Sequence, residues 1–362
     1  MYGMLYLADG SLYSGKGFGA ADTRVGELVF NTAMTGYQGI LTDPSYCGQI
    51  INMTYPLMGN YGINEKDGQS DRIHAFGFVC RDITHNPSNR LSLMTIAEWL
   101  ENNGIPGVYR VDTRAITRKI RNEGTIKCLI STECLGRDEA EKLLESAALR
   151  HDYMKEAGTK GIIRYPGAGL RVAILDMGIK SGIIGSLTGR GCDLTLFPYG
   201  TDAGRIMEAS PDGLLLSNGP GDPEQAVHAV GVAKELLGKL PIMGICMGHQ
   251  ILALAAGGKT YKLKFGHRGG NHGVLDLETG RSAITSQNHS YAADTDSAES
   301  CGMRITHVNL NDGTVEGMRH SNLPAFSVQF HPEGSPGPND SAYLFDKFIA
   351  MMAERKGGGA IA

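Results

Sequence analysis

The chain has 362 residues, enough for two domains with cores of their own, and 41% hydrophobic with 20% charged residues excludes a disordered or low-complexity protein. A formal net charge of −4 without a long basic run argues against a nucleic-acid partner. The seven cysteines are scattered and form no Cys-x-x-Cys pair, and no stretch approaches a membrane span or an uninterrupted signal-peptide core, so a reducing, cytoplasmic setting is expected, without disulfides or structural zinc.

In chain order, Met4 to Tyr13 predicts two short strands around an Asp9-Gly10 turn, and Glu27 to Thr32 a third. Met34 through Gly48 is polar and glycine-rich, and reads as a long ordered loop. Leu93, Ile96, Ala97 and Leu100 share one face of a helix over 92–103, with Trp99 as packing and Gly104 past its end. Further helices are expected over 115–122, with a solvated basic face, and over 138–150. The pattern fades between Tyr153 and Gly169. That predicts an N-terminal domain over 1–152, a linker over 153–169, a second domain over 170–356 and a frayed tail over 357–362.

In the second half, apolar runs at 171–175, 194–197, 214–217 and 242–245 alternate with helix-length segments, the signature of a parallel sheet covered on both faces. Ser217-Asn-Gly-Pro-Gly-Asp-Pro223 follows the third run. A glycine-rich loop at that edge of such a sheet is a ligand-binding position, where backbone N–H groups can approach a developing negative charge. It is neither a Walker loop nor a dinucleotide fingerprint. Gly244-Ile-Cys246-Met-Gly248 has the spacing of a nucleophile elbow, and the helix behind the sulfur runs to Gly257 with its N-terminus favouring negative charge. On its own the pentapeptide fits a buried apolar cysteine equally well.

Cys246 with His249, and His267 with His272, raise the question of metal, but neither pair has two further ligands at a suitable spacing, so no metal is expected. Met303 to Leu310, Asn311-Asp-Gly313 and Thr314 to Met318 read as a hairpin. Phe326 to Phe330 alternates like a strand and runs into His331-Pro-Glu333, which presents a base and a carboxylate from one stiffened turn. Beside the elbow, these residues point to a Cys246, His331, Glu333 triad. Leu344, Phe345, Phe348, Ile349 and Met352 form the apolar face of a closing helix.

The elbow, the Ser217 to Pro223 loop and His331-Pro-Glu333, in this combination, resemble the class I, or triad, glutamine amidotransferases. Asn31-Thr-Ala-Met-Thr-Gly-Tyr-Gln38, Leu41-Thr-Asp-Pro-Ser-Tyr46, Asp112-Thr-Arg-Ala-Ile-Thr-Arg118 and Lys264-Phe-Gly-His-Arg-Gly-Gly-Asn-His272 are similar to the small, glutamine-hydrolysing subunit family of carbamoyl-phosphate synthetase. That resemblance runs over nearly the whole chain. It implies an α/β fold, with a class I amidotransferase domain built on a mostly parallel sheet covered by helices on both faces. A smaller mixed α/β N-terminal domain would precede it and dock the partner.

By motif, the resemblance makes Cys246 the nucleophile, His331 the general base and acid, and Glu333 its orienter. The N–H groups of Gly219 and Met247 would form the oxyanion hole. Gly219, Gly221, Met247, Gln250, Asn288, Ser290 and Tyr291 would hold glutamine, with Ser45 from the N-terminal domain. Two positions depart from the family's usual residues: Ser290, more often glycine, and Met247, more often leucine, a volume-conserving change. The implied reaction hydrolyses L-glutamine through a cysteinyl thioester and passes ammonia to a large ATP-dependent subunit, which makes carbamoyl phosphate from bicarbonate. No cofactor is expected in this chain; ATP and divalent metal would belong to the large subunit. The amidotransferase subunit of another synthase, such as anthranilate synthase, a catalytically silent scaffold subunit and a stand-alone thiol hydrolase are the competing readings.

Overall fold

The computed structural model describes residues 1–150 and 152–358, and the chain divides into two compact units, one up to residue 151 and one from Asp152 onward. In the N-terminal unit seven strands close into a barrel. Their spatial order is Tyr2–Leu7, Leu12–Gly19, Pro106–Tyr109, Gly77–Val79, Gln49–Met53, Thr23–Asn31 and Ile126–Ser131. The first two are joined by the Asp9-Gly10 turn, where Leu7 N–H donates to the Ser11 carbonyl at 2.9 Å. Phe18, Val29, Ile51 and Phe78 fill one apolar cluster, onto which Ile96 and Leu100 pack from the helix Ile96–Asn102, with Trp99 partly buried against it.

That helix starts later than its apolar spacing predicts, because Thr95 caps it. Thr95 Oγ1 accepts from Glu98 N–H at 3.2 Å while Glu98 Oε2 accepts from Thr95 N–H at 2.8 Å, a reciprocal capping box. Two longer helices of the unit span Thr113–Glu123 and Arg137–Ser146. The stretch over 34–48 is no simple loop. It contains a fully buried helix, Tyr37–Thr42, and a 3-10 turn, Pro44–Tyr46. Its polar side chains are buried because they serve the backbone around them: Gln38 Oε1 accepts from Asn64 N–H at 3.0 Å, and Thr42 Oγ1 from Gln69 N–H at 2.8 Å.

The C-terminal unit is built on ten strands. Five central ones, Asp193–Pro198, Arg171–Asp176, Gly213–Leu216, Ile242–Ile245 and Ala325–Val328, run parallel in that spatial order. Val315–His320, Met303–Asn309, Thr260–Asp276 and Ser282–Ala293 extend the sheet antiparallel beyond the last of them. One face is covered by the helices Ala203–Glu208, Val227–Leu236 and Met247–Ala256, the other by Ser181–Thr188 and Tyr343–Lys356.

Residues 153–169, expected to be a linker, belong to this unit. Tyr153 and Met154 are buried, and Ile163–Tyr165 pairs antiparallel with Asp193–Pro198 at the edge of the sheet. The two long strands Thr260–Asp276 and Ser282–Ala293 were not foreseen, since glycines and histidines break their alternation. They pair with His267 opposite His289 and Arg268 opposite Asn288. Of the tail over 357–362, Gly357 and Gly358 follow the last helix, and the rest lies outside the described residues. Among the described residues no helix is long and apolar enough to cross a membrane.

Candidate active site

Cys246 ends the parallel strand Ile242–Ile245 and caps the helix Met247–Ala256, with φ 53° and ψ −103°. A non-glycine residue at positive φ persists only where its surroundings over-determine it. Here the flanking glycines do so by close approach: a Cβ on Gly248 would lie 2.1 Å from the Leu216 carbonyl oxygen, and one on Gly244 would lie 2.4 Å from the Gly248 carbonyl oxygen. Backbone hydrogen bonds complete the clamp, from Cys246 N–H to Val328 O at 2.9 Å and from Gly248 N–H to Ser217 O at 3.0 Å. The second bond ties the elbow to the glycine-rich loop.

His331 follows the neighbouring strand and is fixed by its own backbone N–H, which donates to Ser286 O at 2.9 Å. Its Nδ1 lies 2.8 Å from Glu333 Oε1, which leaves Nε2 for other chemistry. That Nε2 has no well-formed hydrogen bond, while Cys246 helps to hold the imidazole's proton. Burial alone would push the imidazole toward neutrality; the Glu333 carboxylate outweighs it and holds the proton well above the ordinary histidine range. Burial likewise pushes the Glu333 carboxyl up, but Lys180 and His331 together hold it below the usual carboxylate range.

Lys180 is the residue that sequence reasoning missed. It is 1% exposed, and its Nζ lies 2.8 Å from Glu333 Oε1. It is delivered by the loop after the strand Arg171–Asp176, where Asp176 Oδ1 accepts from both Gly178 and Ile179 N–H at 2.8 Å. A lone lysine directly behind a buried parallel strand was the available signal.

The other predicted residues are distributed as follows. Gly219 packs so closely on Met177 that a Cβ would meet its carbonyl oxygen at 2.6 Å, and Met247 is the first residue of the elbow helix, where an N–H has no intrahelical acceptor. Gly221 lies two residues on in the same loop, with φ 99°. Gln250 is buried on the elbow helix and donates to the Tyr291 carbonyl at 2.8 Å and to Gln329 Oε1 at 3.0 Å. Asn288, Ser290 and Tyr291 lie on the strand Ser282–Ala293, and the Cys246 thiol donates to the Asn288 carbonyl at 3.5 Å. Ser290 has no positive φ, so serine costs no backbone strain there; its hydroxyl accepts from the buried Arg268 guanidinium. Ser45 belongs to the N-terminal unit, in the Pro44–Tyr46 turn, where its N–H donates to Asp43 Oδ1 at 2.9 Å. His249 Nδ1 is 3.0 Å from Ser327 Oγ, and burial pushes its imidazole down to about 3, the behaviour of a neutral packing histidine.

Chemically, the arrangement offers a thiol at a strained turn and a buried imidazole oriented by a carboxylate. Residues 173–351 match the family model for glutamine amidotransferase class-I, and residues 5–130 match that for the carbamoyl-phosphate synthase small chain, CPSase domain. The carbamoyl phosphate synthase small chain of Clostridium acetobutylicum is 55% identical, over 97% of this chain and all of that protein. Proteins of the same name from Fusobacterium nucleatum and Bacillus caldolyticus are 50% and 48% identical, over 95% and 97% of this chain and 96% of each relative.

Proposed function

Because the chain belongs to the carbamoyl phosphate synthase small-chain family, with a class I glutamine amidotransferase domain, we propose that it hydrolyses L-glutamine at Cys246 and supplies the ammonia to a large, ATP-using chain. The observation that carries the assignment of residues is the buried line from Cys246 through His331 to Glu333. The Cys246 sulfur, its proton taken by His331, attacks the glutamine carboxamide carbon. Gly219 and Met247 N–H groups receive the oxyanion, His331 returns the proton to the departing nitrogen, and ammonia leaves behind a γ-glutamyl thioester. Water, deprotonated by the same imidazole, then releases glutamate and restores the thiol. Glutamine's polar ends would be held by Gly221, Gln250, Asn288, Ser290 and Tyr291. Service to a different synthase leaves the match over residues 5–130 unexplained.

The test uses the full chain together with its large chain. Cys246→Ser is expected to abolish glutamine-dependent carbamoyl phosphate synthesis and leave synthesis from added ammonia unchanged. Wild-type chain quenched in acid during turnover should carry the γ-glutamyl adduct on the Cys246 peptide by mass spectrometry. Retention of glutaminase activity by the serine variant, or an adduct on another cysteine, would refute the assignment.

A further inference from the structure

We propose that His267, His289 and Glu316 form a binding site for one divalent transition-metal ion, with Zn²⁺ as the ion their donors suit best. The three residues come from three strands, Thr260–Asp276, Ser282–Ala293 and Val315–His320, so no sequence spacing announces them. All three are buried, and one ligating atom of each lies within 4.8 Å of the others. Two imidazoles and one carboxylate are a familiar protein donor set for zinc, which leaves a coordination position open.

The surroundings are those of oriented ligands. His289 Nδ1 is 2.8 Å from the Tyr291 carbonyl oxygen, which makes it the protonated nitrogen; Nε2 keeps its lone pair and has no hydrogen-bond partner, although the residue is 5% exposed. His267 Nε2 lies 2.9 Å from Asp312 Oδ2, a carboxylate that orients the ring and leaves Nδ1 toward Glu316 Oε1 and Asn309 Nδ2, each 3.4 Å away. Glu316 is fully buried, and both its oxygens are positioned by amides: Asn309 Nδ2 at 2.8 Å from Oε1 and Gln287 Nε2 at 2.9 Å from Oε2. Such partners around each donor are characteristic of metal ligands.

The competing account places a second proton on His267, which would then bridge Asp312 and Glu316. That proton would add an ion pair to Glu316, whose oxygens already accept from Asn309 and Gln287, but it still leaves His289 Nε2 buried without a partner, a cost of the kind folded proteins avoid. A divalent ion supplies that partner. It would also fasten the strand carrying Asn288 and Ser290 to its neighbours, through the residue between them.

The experiment uses the tag-free full chain, stripped with chelator, reloaded with Zn²⁺ or Co²⁺ and passed through gel filtration. Expected are one metal per chain by elemental analysis, visible Co²⁺ d–d bands without a thiolate charge-transfer band, and a higher melting temperature with Zn²⁺. Glu316→Gln and His289→Gln should each lose the ion and the melting shift, while Cys246→Ser keeps both. Glu316→Gln is near-isosteric, and Gln287 can turn its amide to meet it, so circular dichroism should show a folded chain; if one variant does not fold, the other decides. A wild-type chain that emerges without metal, loss of the ion in Cys246→Ser, or retention of it in a folded Glu316→Gln or His289→Gln chain would overturn the proposal.

Discussion

A buried lysine needs its charge met, and Lys180 meets it on the same carboxylate oxygen that orients His331. Moving the proton from Cys246 to His331 therefore leaves this group of side chains neutral in sum, before and after. Lys180→Met removes one partner of a fully buried ion pair and should cost about 3 kcal/mol or more in denaturant unfolding, since the Glu333 charge is left under-compensated. His331→Asn should lower glutaminase turnover by roughly 10²–10⁴, the usual range for a positioned acid-base group, and Glu333→Gln by less. Equal losses in the two variants would give the carboxylate more than an orienting role.

The pair also sets a pH dependence. His331 is raised above the ordinary value of 6.5, so its stabilising contribution is complete below that pH and disappears only as pH climbs through the raised value. Glu333 is lowered below 4.5, so its contribution is complete above that pH and disappears as pH falls through the lowered value. Between 4.5 and 6.5 both are complete, and the His331 contribution persists through neutrality. Nitrogen NMR should find the wild-type imidazole titrating above the ordinary histidine range. In Glu333→Gln, where burial acts without the carboxylate, the titration should fall to the ordinary range or below it. At this scale the residues of the proposed triad could be picked out because each half is written locally, as Gly-x-Cys-x-Gly and His-Pro-Glu. Lys180 could not, since its partner lies in another motif.

Among elements, the strand-to-helix turn at Cys246 was readable to the residue, because glycine spacing encodes the close approach directly. Gly248→Ala tests this: with a Cβ 2.1 Å from the Leu216 backbone oxygen, strand and helix must separate. A loss of about 2–3 kcal/mol in unfolding free energy is expected, the upper part of the range for overpacking, together with lost glutaminase activity. Retained stability would mean that the helix can slide away cheaply. Where polar side chains bond the backbone from inside the fold, composition misled. The helix Tyr37–Thr42 looked like loop for that reason, and the strands on either side of residues 277–281 offered no alternation to read. Their histidines and glycines obey the pairing of partners far away in sequence, as His267 with His289 shows.

At the scale of the whole molecule, the change from mixed patterning to strand-helix alternation put the end of the first unit at 152, within a residue of the observed division, but put the start of the second too late. Met154 packs in the core beneath the central sheet, and Ile163–Tyr165 forms an edge strand, so residues 153–169 are structure that the second unit needs. A fragment starting at Asp152 should fold cooperatively, whereas one starting at Gly167 should unfold at lower denaturant, having lost the edge strand and the Met154 side chain. The barrel of residues 1–150 has no open sheet edge, which suits it to independent folding. If that barrel is what docks the large chain, the fragment from Asp152 will leave ammonia-dependent carbamoyl phosphate synthesis untouched and fail to support the glutamine-dependent reaction, and it will not co-elute with the large chain. The barrel alone will co-elute. Binding by the folded C-terminal fragment, with ammonia delivered as well as by the whole chain, would assign docking to the amidotransferase unit instead.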